Sequence, residues 1–194
     1  MNQQAGGEIE PAGDGNRRML LRAGVVAAAV LVGVIAWVAS QGGDDGDSAP
    51  AEPQSQIVSE AELVETAAEA DQPIYWAGEI DGMELELSEV AGGGYQVRYL
   101  PEGEETEPAE AAAEFLTIGS YPLPDPAKAL DGFAKRSGSS SRAGKGGREV
   151  VTSEERPTSV YFVDPDNTVQ VEVYDPSPQR AMALALSRQV EPAG

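Results

Sequence analysis

The chain of 194 residues contains no cysteine and no histidine. Without cysteine, no disulfide can stabilise a folded domain. Without histidine there is no imidazole base, no Ser-His or Cys-His nucleophile, and none of the ordinary zinc sites. We therefore expect no cofactor, no metal ion and no enzymatic activity, and a fold that depends on a packed core.

Positive charge is also scarce, because 13 lysines and arginines face 33 acids and the net charge is −20. Residues 41–72 carry nine acids and no base, whereas residues 73–194 carry 21 acids and ten bases. A surface of this sign repels phosphate backbones, so we expect no nucleic-acid partner. A large negative charge also keeps a protein soluble, so it does not by itself indicate a ligand.

Long apolar runs are absent except for one, at 19–38, in which Arg22 is the only charge. At about 1.5 Å per residue, a helix of this length covers about 30 Å, the thickness of a bilayer hydrocarbon core. We predict a transmembrane helix at 19–40, preceded by a disordered cytoplasmic tail at 1–18. The alternative is a signal peptide cleaved near Ser40, but the apolar stretch is longer than the usual signal core.

The charges flanking this run indicate its orientation. Arg17, Arg18 and Arg22 lie at its N-terminal end, and no base follows it before Arg98. The positive-inside rule then places the N-terminus in the cytoplasm and the rest of the chain outside the cell membrane, anchored by a single pass. Residues 41–71 are predicted to be an acidic, flexible tether, with a short helix near 59–70 indicated by the capping box of Ser59 and Glu62.

Alternating and helical patterns begin at residue 72 and predict an extracytoplasmic α+β domain over 72–194. Apolar and acidic residues alternate at 83–87, which predicts a strand with its glutamates in water, and a glycine turn leads into a second strand at 95–99. Further strands are predicted at 115–121, 148–153, 160–163 and 169–173, and helices after the N-caps Asp125 and Ser177. We expect an antiparallel sheet of about six strands with the two helices on one face.

The two halves of this domain use the same order of elements. Tyr121 and Tyr174 each follow a strand, stand about 53 residues apart, and precede a proline-rich helix start. One interpretation is an internal ββ(β)α repeat. The other is that strand-to-helix connections reuse proline and acidic or hydroxyl residues for capping alone.

The only concentration of positive charge within the predicted outer domain is predicted to contact an anion. It lies in the Gly/Ser-rich segment 135–148, where backbone amides and basic side chains together suit a phosphate or carboxylate. The alternative is a loop of solvated charges. The candidate anion contacts are Lys135, Arg136, Arg142, Lys145 and Arg148.

Tyrosines on the predicted strands are a second set of candidates. Aromatic faces can stack on sugar rings, although core packing is their more frequent role. The candidate stacking residues for a neutral glycan are Tyr95, Tyr99, Tyr121 and Tyr161.

From Phe115 to about Val190 the chain resembles SPOR repeats, small envelope domains with two strand-helix units. The resemblance is carried by the strand Phe115–Tyr121 and its following helix, and by the strand Val169–Val173 followed by Arg180 to Leu184. It implies binding to peptidoglycan glycan strands. The strands between Tyr75 and Leu100 have no counterpart in that family, and no binding residue is transferred from it.

Together these features predict a single-pass, membrane-anchored protein with an outer domain that binds or interacts within a cell envelope and is not an enzyme. An envelope glycan or a protein is the expected partner besides the membrane. The alternatives are a SPOR-like glycan-binding domain and a hydrolase that relies on carboxylates alone.

Overall fold

The computed structural model describes residues 55–90, 92–103, 114–165 and 168–194. These residues form an α+β fold in which three helices and a short strand pair surround a large antiparallel sheet. The predicted α+β class and antiparallel sheet are confirmed. The predicted transmembrane helix, the cytoplasmic tail and the tether up to residue 54 lie outside the described residues.

The helices and strands of the described residues follow one another in chain order. The strands are β1 Ser55–Val58, β2 Tyr75–Trp76, β3 Met83–Val90, β4 Gly94–Pro101, β5 Thr117–Pro122, β6 Ser139–Ala143, β7 Glu149–Ser153, β8 Arg156–Val163, β9 Val169–Tyr174 and β10 Glu191–Pro192. The helices are α1 Glu60–Glu69, α2 Pro126–Ala134 and α3 Pro178–Leu186.

The main sheet has the strand order β1-β3-β4-β5-β9-β8-β7-β6, and every neighbouring pair is antiparallel. It contains eight described strands rather than the expected six or so. The two additional strands, β1 and β6, are its edges, and both have polar or irregular sequences that give little alternating signal. An edge strand pairs on one side only. β1 is held extended by its pairing with β3, and β6 by its pairing with β7.

One face of the sheet, here called the α3 face, carries the main core. Its strands contribute aliphatic and aromatic side chains, and α1, α3 and the β2–β10 pair cover them. The register places these strand residues on the same side: Leu85, Leu87, Val97, Ile118, Val150, Val160, Phe162, Val171 and Val173. Val58 and Leu63, from the segment before residue 72, also belong to this core.

The opposite face, here called the α2 face, carries a smaller core under α2. Leu130 of α2 packs with Val151 and Tyr161, and Phe133 lies edge-on to Tyr161. The expectation that both helices share one face is therefore not met. The reason is the strand pattern, because β8 and β9 are buried on both sides and offer each helix its own apolar surface.

The described helices have local sequence signals at their starts. Ser59 and Glu62 form the expected capping box of α1, Asp125 caps α2, and Ser177 caps α3. Pro126 and Pro178 occupy the first turns of α2 and α3. No helix among the described residues is long and apolar enough to cross a membrane.

Candidate functional site

Arg148, one of the five predicted anion contacts, is buried in the protein. Its Nε and Nη2 atoms donate to the two carboxylate oxygens of Asp164 at 2.7 and 2.8 Å. Its guanidinium also donates to the backbone carbonyls of Ala185, Ser187 and Val190, and lies 3.6 Å from the centre of the Phe162 ring. Arg148 is 3% exposed, so it holds the fold together and is not presented to a ligand.

Asp164 is the acidic partner of Arg148 in this ion pair. Burial opposes ionisation of its carboxyl group, but hydrogen bonds from Arg148 and from the Tyr75 hydroxyl at 2.9 Å outweigh burial and lower its pKa. The aspartate therefore stays charged next to the arginine. A bidentate pair of this kind fixes both position and orientation. Here it connects the residue before β7 with the residue after β8, and through further hydrogen bonds with β2 and the end of α3.

Lys135 and Arg136 lie at the end of α2, on the α2 face. Lys135 pairs with Asp131 one helical turn earlier, and Arg136 lies 5.9 Å from the ring centre of Phe133. Arg142 lies on β6, and its register with Val150 places its side chain on the α3 face. The structure therefore separates the five predicted contacts. Lys135 and Arg136 are exposed at the end of α2, Arg142 and Lys145 are exposed on β6 and in the turn that follows it, and Arg148 is buried.

A groove runs beside Arg142 on the α3 face. It forms because α3 packs on β8 and β9, whereas Ser140 and Arg142 of β6 stay exposed on the same face. Val150 of β7 belongs to the core, and only Thr152 of that strand lines the groove on this face. The groove has a volume of about 770 Å³ and is open to solvent. We call it the α3–β6 groove.

The lining of the α3–β6 groove combines two kinds of side chain. The wall formed by α3 is mostly apolar, with Pro178, Met182, Ala183 and Leu186, together with Gln179. The floor is polar, with Ser140, Arg142 and Thr152, and the remaining lining residues are Gly138, Ser139, Ser153, Glu154 and Pro157.

Charge is distributed unevenly along this groove. Glu154 lies at the end nearest the start of α3, level with Gly138, which accepts a hydrogen bond from its backbone amide. Arg142 lies towards the other end. There, Arg188 follows α3 and lies so close to the turn after β6 that a Cβ atom on Gly146 would stand 3.0 Å from its Cζ.

Arg188 is a residue that sequence reasoning missed. It stands 43 positions from Lys145 in the chain, and only the end of α3 brings it to the turn at Lys145–Gly147. Arg142 lines the groove, and Lys145 and Arg188 lie at the turn beyond it; we call these three residues the cationic end. No local sequence signal connects Arg188 to the other two.

The free edge of β6 runs along the groove. Gly144 donates to Arg148 and Glu154 donates to Gly138, so the even-numbered residues of β6 direct their backbone groups towards β7. The backbone N–H and C=O groups of Ser141 and Ala143 consequently point outwards. No described strand lies on that side of β6.

The four candidate stacking tyrosines do not form one surface. Tyr95 and Tyr99 are on the α3 face, whereas Tyr121 and Tyr161 are on the α2 face. Tyr99 is buried and its hydroxyl is bonded to Ala77 and Gly78, and Tyr161 is buried and donates to Glu172 at 2.9 Å. Only the half-buried Tyr95 and Tyr121 keep part of their rings accessible.

Two buried carboxylates on the α2 face were not foreseen. Glu86, expected on the wet side of its strand, is fully buried beside Arg98, and Glu172 is 3% exposed. Burial raises the pKa of Glu172, although hydrogen bonds from Ser159 and Tyr161 oppose this effect. Three strand spacings separate Glu86 from Glu172, about 14 Å, so these two do not form a glycosidase pair.

No family model, curated protein or solved structure matches this chain. The description of the site therefore depends on its own side chains. Within the described ranges, no group of three or more acidic side chains is arranged to hold a metal ion. What the described part of the chain does present is an open groove with an apolar wall, a polar floor and one cationic end.

Proposed function

We propose that this protein is a non-enzymatic binding module and that the α3–β6 groove is its ligand site. The observation that carries the proposal is the groove itself, about 770 Å³ in volume and lined by both apolar and polar groups. Ligand sites have volumes of this order and combine an apolar surface with a few orienting polar groups.

The groove has the dimensions of an extended polymer segment. Its wall follows α3 from Pro178 to Leu186, which at 1.5 Å per residue is about 13 Å long. This length matches about four residues of an extended chain. The site is open along its length, so a segment of a longer polymer fits without its ends having to enter an enclosed cavity.

The proposal includes the location inferred from the sequence. The apolar run at 19–38, with arginines only on its N-terminal side, supports a single-pass anchor with the binding domain outside the membrane. A polymer of the cell envelope is then the ligand within reach. An acidic tether of one charge sign holds the domain away from the membrane surface.

A matched pair of variants tests the proposal. Ala183 is exposed on the groove wall and Ala127 is exposed on α2, on the opposite face. Ala183→Tyr fills the groove with a neutral side chain, whereas Ala127→Tyr makes the same change elsewhere. The measurement is co-sedimentation of the full-length protein, held in detergent micelles, with isolated cell wall.

We expect Ala183→Tyr to reduce the sedimented fraction at least about tenfold, a loss of about 1.4 kcal/mol, and Ala127→Tyr to leave it unchanged. Equal binding by both variants would reject the groove as the site. The same preparation tests the alternative hydrolase, because release of soluble fragments that one Asp or Glu substitution abolishes would contradict a purely binding role.

A further inference from the structure

We infer that the ligand of the α3–β6 groove is an extended peptide segment that places a carboxylate at the cationic end and pairs with the free edge of β6. This inference rests on the proposed function and specifies its ligand class. Three features of the groove support it: the charge at its ends, the backbone groups along its side, and the chemistry of its lining.

The charge at the two ends gives the ligand a direction. Arg142 lines one end of the groove, and Lys145 and Arg188 lie at the turn beyond that end. Over residues 73–194 acids outnumber bases by 21 to ten, so this local excess of positive charge is unusual for the domain. Glu154 lies at the other end. A carboxylate is attracted to the first end and repelled from the second, so complementary charge selects a segment that is acidic at one end only.

The backbone of β6 gives the ligand an extended conformation. Ser141 and Ala143 direct their N–H and C=O groups away from β7, along the side of the groove. An extended peptide satisfies such groups by adding a strand to the sheet, and its alternate side chains then reach the groove. Five residues in β6 give a pairing segment of about 16 Å.

The lining favours a peptide over a neutral glycan. Among the residues that the structure describes, no tyrosine, tryptophan or phenylalanine lines the groove, so these residues offer no ring on which a sugar would stack. The apolar wall instead consists of aliphatic side chains, among them Met182 and Leu186, and methionine adapts to side chains of different shape. Aliphatic or small side chains of a peptide fit such a wall.

The test uses libraries of labelled pentapeptides with acetylated and amidated ends and three random central residues, identical except for glutamate or glutamine at one terminal position. That position is the first in one pair of libraries and the last in another, because a strand antiparallel to β6 places its first residue at the cationic end and a parallel strand its last. Full-length protein in detergent micelles is immobilised, and the retained label is measured at low and high salt. In one of the two pairs we expect the glutamate library to be retained about tenfold more than the glutamine library at low salt, and this preference to shrink as salt rises.

Variants connect this preference to the groove. Arg142→Gln should abolish the preference for glutamate, and Arg142→Glu should transfer it to a further library with lysine at the same position. Arg136→Gln, the matched change on the α2 face, should preserve the preference for glutamate. Methylation of the central amide nitrogens should lower retention about tenfold, because it removes the donors that pair with β6.

The outcomes separate this inference from the proposed function. If glutamate and glutamine libraries are retained equally in both pairs and Ala183→Tyr blocks both, the groove binds peptides without recognising a carboxylate, and the inference is overturned. If only a neutral chito-oligosaccharide binds and Ala183→Tyr blocks it, the ligand is a glycan, and the proposed function stands without the inference. If Ala183→Tyr also leaves cell-wall binding intact, both are rejected.

Discussion

The two strand-helix units of the domain begin alike and end on opposite faces of the sheet. In the first, Tyr121 near the end of β5 is followed four residues later by the N-cap Asp125 and then by α2. In the second, Tyr174 at the end of β9 is followed three residues later by Ser177 and then by α3. Tyr121 and Tyr174 share the α2 face, yet of the two described helices that follow them only α2 packs there.

The comparison shows that the residues that determine where a helix begins differ from those that determine on which face of the sheet it packs. A capping side chain and a first-turn proline act within a few residues, and both units have them. The face on which the helix packs depends on the strands beneath it, Val151 and Tyr161 for α2 and Val160 and Phe162 for α3. Because α3 lies over the larger core, the α3–β6 groove and Arg148 both belong to its side of the sheet.

The largest expected effect on stability comes from removing Arg148, which hydrogen-bonds the end of α3. Arg148→Ala removes the bidentate partner of the partly buried Asp164 carboxylate and a donor to the last carbonyls of α3, so we expect a loss of about 3 kcal/mol in the free energy of unfolding. Urea denaturation measures it. Lys135→Ala at the end of α2 is the control, because that exposed pair should contribute nothing measurable. A similar stability of both variants would contradict the structural role of Arg148.

Core truncations compare the two helices directly. Leu184→Ala on α3 and Leu130→Ala on α2 remove the same atoms from buried positions. We expect losses of about 2–3 kcal/mol for Leu184 and about 2 kcal/mol for Leu130, since the partly buried neighbours of Leu130 can relax into the space. Thermal unfolding of the two variants ranks them. A larger loss at Leu130 would mean that the α2 face carries more of the stability.

The buried carboxylate under the α2 face gives a smaller, pH-dependent effect. Because burial raises the pKa of Glu172 in the folded state, stability from this group is complete below its unfolded pKa and is lost as pH rises through the folded pKa. Glu172→Gln keeps an acceptor for the Tyr161 hydroxyl and carries no charge. We expect the variant to match the native protein at low pH and to exceed its stability increasingly as pH rises.

Denaturation curves across this pH range measure the difference, with Glu155→Gln as an exposed control that should leave the pH dependence nearly unchanged. A variant that loses the same stability at every pH would show instead that the hydrogen-bond geometry at Glu172, rather than its charge, matters.

The smallest effects are expected at the helix caps. The Asp125 carboxylate accepts from the Lys128 amide at 3.0 Å, and the Ser177 hydroxyl accepts from the Arg180 amide at 3.4 Å. We expect Asp125→Ala to cost about 1 kcal/mol and Ser177→Ala about 0.5 kcal/mol. Chemical denaturation resolves this difference when each variant is compared with its glycine counterpart, which should recover most of the loss. Equal losses in the free energy of unfolding would indicate that the shorter hydrogen bond at Asp125 gives no additional stability.

Much of the fold was predictable from the sequence because the information is local. Alternation at 83–87, the glycine turn before Tyr95, and the caps at Ser59, Asp125 and Ser177 each involve a few neighbouring residues, and the structure contains the corresponding elements. The faces of the helices and the edge strands were not predictable in this way. The polar sequence of Ser139–Ala143 predicts a loop, and it is the pairing with β7 that makes this segment a strand.

The site was less predictable than the fold. Arg142 and Lys145 are in the predicted basic segment, but Arg148 in the same segment is buried by Asp164 and the end of α3. The groove wall comes from α3 and Arg188 follows that helix, about 40 residues later, and their position depends on how α3 packs on β8 and β9. Spacing along the chain carries no information about such a surface.

The pairing of β10 with β2 has a consequence for the order in which the molecule assembles. Glu191 pairs with Trp76 and Pro192 with Tyr75, so the two partners are more than a hundred residues apart in sequence. Val190, just before β10, also accepts from Arg148, and Ile74 accepts from the amide of Ala193. Contacts of such separation form slowly, because the entropy of closing a long loop must be overcome first. During synthesis from the N-terminus, Ile74, Tyr75 and Trp76 stay uncovered until residues 190–193 have emerged, so the core is completed only by the last residues described.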